Sequence, residues 1–126
     1  MKLHQALGVQ RGDVVALVGA GGKTSTMVAL AHELAELGWR VLVTTTTRLG
    51  ADQAGLFPRA LTDMEPPERL SAALESDRIV LVHGGIYDGE THAPSVAWLA
   101  EMPDQVDSDV LLVEADGARG LLLKAP

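Results

Sequence analysis

The order strand, glycine-rich segment, helix, strand opens this chain and constrains its fold more than any other feature. Residues 13–18 (DVVALV) are a short β-branched run between glycines, the pattern of a strand buried on both faces. Apolar residues then recur every three or four positions over residues 23–37, and Gly38 stands at the place of a C-terminal cap, which predicts a helix. Residues 40–46 (RVLVTTT) are a second buried-type strand. Together they predict a βαβ unit with parallel strands.

The same alternation continues through the rest of the chain. It predicts strands over residues 78–83 and 109–115 and helices over residues 67–75 and 96–101. The segments 48–67 and 83–94 carry Gly, Asp and Pro and are predicted to be mostly loop. We therefore expect an α/β fold with a mostly parallel sheet, helices on both faces and a ligand site at the carboxyl ends of the strands.

Length and composition limit the classes of protein. The 126 residues predict a single domain, residues 1–126, with one core of ordinary size. A formal charge of −7 argues against a nucleic-acid partner, so any anion site is expected to be local. The chain has no cysteine and no stretch that resembles a signal peptide or a membrane span. We expect a cytoplasmic protein without a membrane partner.

The segment VGAGGKTST at residues 18–26 is predicted to bind phosphate. Gly19, Ala20, Gly21 and Gly22 separate a strand from a helix start, where backbone N–H groups and the helix dipole favour an anion. Lys23 would reach the outer phosphates, and the hydroxyl of Thr24 or Ser25 would bind Mg²⁺. The full G-x-x-x-x-G-K-[ST] pattern is not met, because Leu17 stands where its first glycine belongs. A tight strand-to-helix turn with a solvated lysine is the alternative.

The segment VLLVEADGARG at residues 110–120 is predicted to supply the acidic partner of such a site. Glu114 and Asp116 lie on one side of a strand at its carboxyl end, where a carboxylate would hold Mg²⁺ or orient a water. With Lys23 they are the catalytic candidates, and with Thr24 they are the metal candidates. The alternative is that Glu114 merely ends the strand and that an ordinary turn follows.

Other polar residues are weaker candidates. Thr46 and Thr47 end the second strand and would line the site, although threonine is also a good strand former. Arg48 and Arg119 are within reach of the expected phosphates, although solvated arginines are common in loops. The polar residues of the 83–94 segment show no recognised metal-ligand spacing and are interpreted as loop polarity: His83, Asp88, Glu90 and His92.

The last apolar run, LLLKAP at residues 121–126, leaves two interpretations open. It is a strand exposed at the edge of the sheet, or it belongs to a longer domain.

Three motifs in this order, LVGAGGKTS, VLVTTTT and VLLVEADGARGLLLKAP, resemble those of the YqeC-type accessory proteins of selenium-dependent hydroxylases. The resemblance runs from Gly12 to Pro126 and is loose from Ala51 to Pro94. It implies a P-loop protein linked to the maturation of molybdenum hydroxylases that carry a labile selenium. By position it implies that phosphate is bound by Gly19, Gly21, Gly22, Lys23 and Thr24. It also implies that Thr46 and Thr47 line the site and that Glu114 and Asp116 form an acidic motif.

Members of this family are usually longer, so the resemblance also implies that residues 1–126 are the N-terminal part of a longer domain. Two further resemblances imply the same phosphate site but a different reaction coupled to it. The spacing G-x-x-G-K-T is similar to the ATP loop of Mur-type ligases, and EADGARG is similar to a motif of nucleotide-gated metallochaperones.

These observations predict a P-loop NTPase-like fold that binds Mg²⁺ with ATP or GTP. We expect a slow hydrolase whose cycle drives a cofactor maturation step, with a molybdenum hydroxylase or its maturation proteins as partners. A nucleotide-binding module without turnover is the alternative. The chain has no N-K-x-D motif, so the choice between ATP and GTP stays open.

Overall fold

The computed structural model describes residues 2–18 and 23–115, except the side chain of residue 51, together with the backbone of residues 121–125. Its helices are α1 (Leu3–Leu7), α2 (Lys23–Glu36), α3 (Ala51–Ala54), α4 (Pro67–Asp77) and α5 (Val96–Glu101), followed by a short 3₁₀ helix (Pro103–Gln105). Its strands are β1 (Val14–Val18), β2 (Val41–Thr45), β3 (Leu49–Gly50), β4 (Ala60–Thr62), β5 (Ile79–His83), β6 (Gly85–Tyr87), β7 (Glu90–His92), β8 (Val110–Ala115) and β9 (Leu121–Ala125).

The main sheet has the strand order β4-β5-β2-β8-β1-β9. Strands β4, β5, β2, β8 and β1 pair in parallel, and β9 pairs antiparallel with β1 at the edge. The predicted α/β class with a mostly parallel sheet is therefore confirmed. The backbone of residues 121–125 forms a strand at the edge of the sheet, as one of the two interpretations of the last apolar run expected.

Side-chain alternation along the central strands distributes the core over both faces of the sheet. Val41 and Val43 of β2 belong to a buried cluster with α2, whereas Leu42 belongs to a second cluster with α4 and α5. All three side chains have 0% exposure. Because successive residues of a strand point to opposite faces, helices must cover both sides. The predicted helices on both faces are confirmed.

The helix ends follow the local sequence signals. Helix α2 ends at Glu36, and Gly38 has a φ of 87°, a left-handed conformation that glycine adopts without steric cost. Helix α5 begins after Ser95, whose side chain accepts the backbone N–H of Trp98 at 3.1 Å. Pro67 occupies the first turn of α4, as predicted.

The prediction of loop for residues 48–67 and 83–94 is wrong in part. The first segment contains β3, α3 and β4, and the second contains the hairpin β6–β7, which pairs with β3 in a small three-stranded sheet. The hairpin turns at Asp88 and Gly89, which both have positive φ, as the favoured two-residue turns require. Strand β4 is only three residues long, which is too short to show a periodic pattern in its sequence. It pairs in parallel with β5.

Helix α1, which the sequence patterns did not predict, is held to α2 by one carboxylate. Glu33 accepts the backbone N–H groups of Leu3 and His4 at 3.1 and 2.9 Å, and the His4 Nδ1 atom lies 2.7 Å from it. The hydrogen bond from the His4 amide is the largest cause of a pKa for Glu33 below the ordinary value of 4.5, and burial opposes it. A residue of α2 thus satisfies the first amides of α1.

We predict that Glu33→Gln lowers the free energy of unfolding at pH 7 by about 1 kcal/mol, the typical cost of a lost helix cap. Because the pKa of Glu33 is lowered in the folded state, its contribution to stability is fully present above pH 4.5. This contribution is lost as the pH falls through the folded-state pKa. Urea denaturation at several pH values measures both effects. The control is Glu36→Gln, because the Glu36 side chain is 72% exposed and meets Lys2 only at 3.8 Å. Equal losses in both variants would contradict the prediction.

Candidate functional site

Three parallel strands end at one edge of the main sheet, and β8 lies between β1 and β2 there. In the strand register Glu114 stands beside Leu17 of β1 and beside Thr45 of β2. Helix α2 begins at Lys23, shortly after β1 ends at the same edge. The carboxyl ends of the strands, where α/β proteins bind ligands, therefore carry an acidic residue next to a helix start.

A hydrogen bond between Thr24 and Glu114 is the central contact of this edge. The Thr24 Oγ1 atom donates to the carboxylate, with Oε1 at 2.9 Å and Oε2 at 3.0 Å. Thr24 is 6% exposed and Glu114 is 3% exposed. A carboxylate at such a depth needs donors or cations to replace lost water, and the hydroxyl is one of them.

Lys23 lies across the end of β8. Its Nζ atom donates to the backbone carbonyl of Ala115 at 3.0 Å, and its side chain is partly buried. The ammonium group is thereby held next to the residue that carries the buried carboxylate. Lys23, Thr24 and Glu114, three residues predicted to act together, are brought together by the fold.

The threonine run divides into structural and cavity-lining members. Thr44 faces the other side of the sheet and donates to the Val82 carbonyl at 2.9 Å. The Thr45 hydroxyl accepts the Thr47 amide at 3.0 Å and closes the turn after β2. The Thr46 amide donates to the Glu114 carbonyl at 2.8 Å and extends the pairing of β2 with β8. Thr46 and Thr47, the pair predicted to line the site, border the cavity.

A cavity of about 830 Å³ opens at this edge, within the range of ligand-binding clefts. Among the described residues its lining is mostly polar and includes Lys23, Thr24, Ser25, Thr46, Thr47, Arg48, Gln53, His92, Ala93 and Glu114. Six other predicted site residues lie outside the described residues: Gly19, Ala20, Gly21, Gly22, Asp116 and Arg119.

The small three-stranded sheet and α3 form the second wall of the cavity. His92 lies at the end of β7, and its ring meets the edge of Tyr87 with centroids 5.0 Å apart. The Gln53 Oε1 atom accepts the Gly50 amide at 3.0 Å. Arg48 lies 3.8 Å from the Glu90 carboxylate. This wall therefore presents a guanidinium, a carboxamide and an imidazole.

The sequence patterns missed Gln53, His92 and Ala93 as lining residues. The Asp88-Gly89 pair is a strong hairpin signal, and it could have shown that His92 lies on a strand that returns to the site. Among residues 2–18 and 23–115, no group of three or more His, Asp or Glu side chains is arranged to hold a metal ion.

His83 is buried outside the cavity lining. Its Nδ1 atom accepts the Gly85 amide at 3.0 Å. Burial lowers the pKa of His83, although the negative charge of Asp63 opposes this effect.

The fold and the site define an α/β protein with a mostly parallel sheet and a polar cavity at the carboxyl ends of its strands. The chain belongs to the YqeC family: the model of the YqeC protein family matches residues 15–126. The Escherichia coli (strain K12) "Uncharacterized protein YqeC" is 36% identical in an alignment over 125 residues that covers 95% of this chain and 47% of that protein. The chain thus spans about half the length of the curated relative it matches.

No solved structure matches the chain. Within the described residues, none of the helices has the length and apolar character needed to cross a membrane.

We predict that Thr24→Val lowers the free energy of unfolding by about 1–3 kcal/mol, because the buried Glu114 carboxylate loses a donor. Thr24→Ser keeps the hydroxyl and costs only the lost methyl group, about 0.8 kcal/mol. Urea denaturation at pH 7 measures both. Thr62→Val in β4 is the matched control, since its hydroxyl makes only a 3.4 Å contact with the Met64 amide. Equal stability of the Val and Ser variants at position 24 would contradict the role of the hydroxyl.

Proposed function

We propose that the chain is a P-loop-type protein that binds Mg²⁺ with ATP or GTP and hydrolyses the nucleotide slowly. The observation that carries this proposal is the buried hydrogen bond between Thr24 and Glu114, next to Lys23 at the start of α2. In nucleotide-binding loops of this kind a hydroxyl at the helix start and a carboxylate at a neighbouring strand end hold the metal together.

The start of α2 is suited to phosphate. The helix is 14 residues long, so its dipole favours an anion at the N-terminus. Glycines at positions 19, 21 and 22 precede it directly in the sequence. Lys23 adds a cation at this place, where it donates to the Ala115 carbonyl. A phosphate oxygen is a stronger acceptor for an ammonium group than a neutral carbonyl.

The residues present fit Mg²⁺. One buried carboxylate and one hydroxyl are hard oxygen ligands, and Mg²⁺ typically takes one or two carboxylates together with substrate phosphates rather than an all-protein cage. Thr24 and Glu114 would hold the ion, and the sequence puts Asp116 two residues further on. Bound Mg²⁺ would neutralise charge on the phosphate oxygens.

The chain's own groups have separate tasks in such a reaction. Lys23 and the α2 amides would bind and orient the phosphates, which stabilises the charge that develops there. Glu114 would accept a hydrogen bond from the attacking water and hold it in line with the terminal phosphate. The Thr46 hydroxyl lies 3.4 Å from the Glu114 carbonyl. This hydrogen bond is long, so Thr46 can exchange it for a hydrogen bond to a ligand oxygen.

The coupled process in this proposal is the maturation of selenium-dependent molybdenum hydroxylases. It is supported by the motif resemblance alone, because neither the family name nor the name of the relative assigns an activity. The partners in this proposal are a molybdenum hydroxylase or its maturation proteins.

We predict that Mg-ATP or Mg-GTP raises the melting temperature of the protein by several degrees. A ligand at a hundredfold excess over its Kd stabilises the folded state by about 2.7 kcal/mol. A thermal-shift panel of ATP, GTP and their diphosphates, with and without Mg²⁺, measures this and selects the base. Lys23→Ala should weaken binding at least tenfold, because a charge-assisted contact to phosphate is lost.

Lys2→Ala is the matched control for Lys23→Ala, since the Lys2 side chain is 61% exposed, meets Glu36 at 3.8 Å and is not among the described residues that line the cavity. No shift with any nucleotide, obtained with folded protein, would refute the proposal. Binding that survives without phosphate release would favour a nucleotide-binding module instead.

We predict that Glu114→Gln abolishes phosphate release by the purified protein. The same variant, expressed in place of the native chain, should lower the selenium content of a molybdenum hydroxylase measured by elemental analysis. If cells that lack the protein make a hydroxylase with unchanged selenium content, the proposed role in maturation is refuted. The proposal of nucleotide binding is tested separately by the thermal-shift panel.

A further inference from the structure

The cavity has two chemically different walls. Lys23, Thr24 and Glu114 form the wall on the side of α2, and Thr46 and Thr47 border the cavity at the tip of β2. The second wall comprises Arg48 just before β3, Gln53 of α3 and His92 of β7. We assign the proposed triphosphate to the first wall and the strand tip, so the second wall can hold a further anionic group.

Arg48 is available for a ligand because its present ion pair is weak. The pair with Glu90 spans 3.8 Å, and the Arg48 side chain is 67% exposed. Exposed pairs of this kind contribute little to stability. A carboxylate or phosphate group of a ligand can engage both arms of the guanidinium at shorter distance, and this would displace Glu90.

Gln53 and His92 add directed polar groups to Arg48. The Gln53 carboxamide accepts the Gly50 amide through Oε1, so the other end of the group, its NH₂, is a donor. The His92 backbone carbonyl accepts the Gly84 amide at 2.7 Å, and its ring rests on Tyr87. Both side chains therefore have defined neighbours, which favours binding by a formed wall rather than by a loose loop.

We propose that this second wall binds a small anionic second substrate, carrying a carboxylate or a phosphate group, which faces the terminal phosphate of the nucleotide. This inference rests on the proposed function for the occupant of the first wall. The cavity volume of about 830 Å³ lies within the range of ligand clefts.

Calorimetric titration of the whole chain with malonate and with inorganic phosphate tests the inference. Each anion is added to protein saturated with Mg²⁺ and a non-hydrolysable ATP or GTP analogue, and again to protein without nucleotide. We expect saturable binding of at least one anion, weakened about tenfold by Arg48→Gln, the cost of a lost charge-assisted contact. Glu90→Gln should tighten binding, because it removes the competitor of the ligand for Arg48.

Arg59→Gln is the matched control, since Arg59 is also a partly exposed arginine with a weak pair, 3.5 Å from Asp77, and does not line the cavity. Circular dichroism and the melting temperature verify that each variant is folded. A preference for malonate assigns the ligand to carboxylates, and a preference for phosphate assigns it to phosphorylated compounds.

The two proposals fail separately in this experiment. If the nucleotide analogue binds and neither anion binds, or if Arg48→Gln binds both anions as the wild type does, the second-wall inference is overturned. If the analogue does not bind but an anion binds through Arg48 without nucleotide, the nucleotide proposal falls and the anion site stands.

Discussion

The buried carboxylate of Glu114 sets the requirements that the rest of the site must meet. A charge at that depth is unfavourable unless polar groups replace the water it has lost, and the Thr24 hydroxyl, ninety positions away in the chain, supplies one of them. This hydrogen bond joins the start of α2 to the end of β8. It also places Lys23 next to the same strand end, where its ammonium group reaches the Ala115 carbonyl. Removing the carboxylate would therefore affect the position of a helix as well as the chemistry of the cavity.

The position of β8 explains why these groups meet. This strand comes late in the chain but pairs in parallel with both β1 and β2, so residues from three distant segments end at one edge of the sheet. His92 at the end of β7, in the small sheet of β3, β7 and β6, also lines this cavity. We propose phosphates and a hard cation as the ligands of one wall and a second anion as the ligand of Arg48 in the other.

The long, strongly patterned elements were predictable. The buried runs of β1, β2, β5 and β8 and the apolar stripe of α2 carry the full signal in their own residues, and the boundaries differ by only a residue or two. The short elements were not predictable by the same means. Strands β3 and β4 and helix α3 span two to four residues and exist because a neighbour supplies hydrogen bonds or packing. Helix α1 likewise depends on Glu33, a residue of another helix.

The sequence by itself determined the α/β class, the end of α2 before Gly38 and the candidate site residues Lys23, Thr24 and Glu114. Periodicity, turn residues and strand ends are local properties, so the sequence shows them directly. Only the tertiary structure decided that β8 lies between β1 and β2, that Thr44 turns away from the cavity while Thr46 and Thr47 border it, and that His92 returns to the site on a hairpin. Strand order and the placement of a hairpin come from long-range pairing between segments. No window of neighbouring residues contains that information.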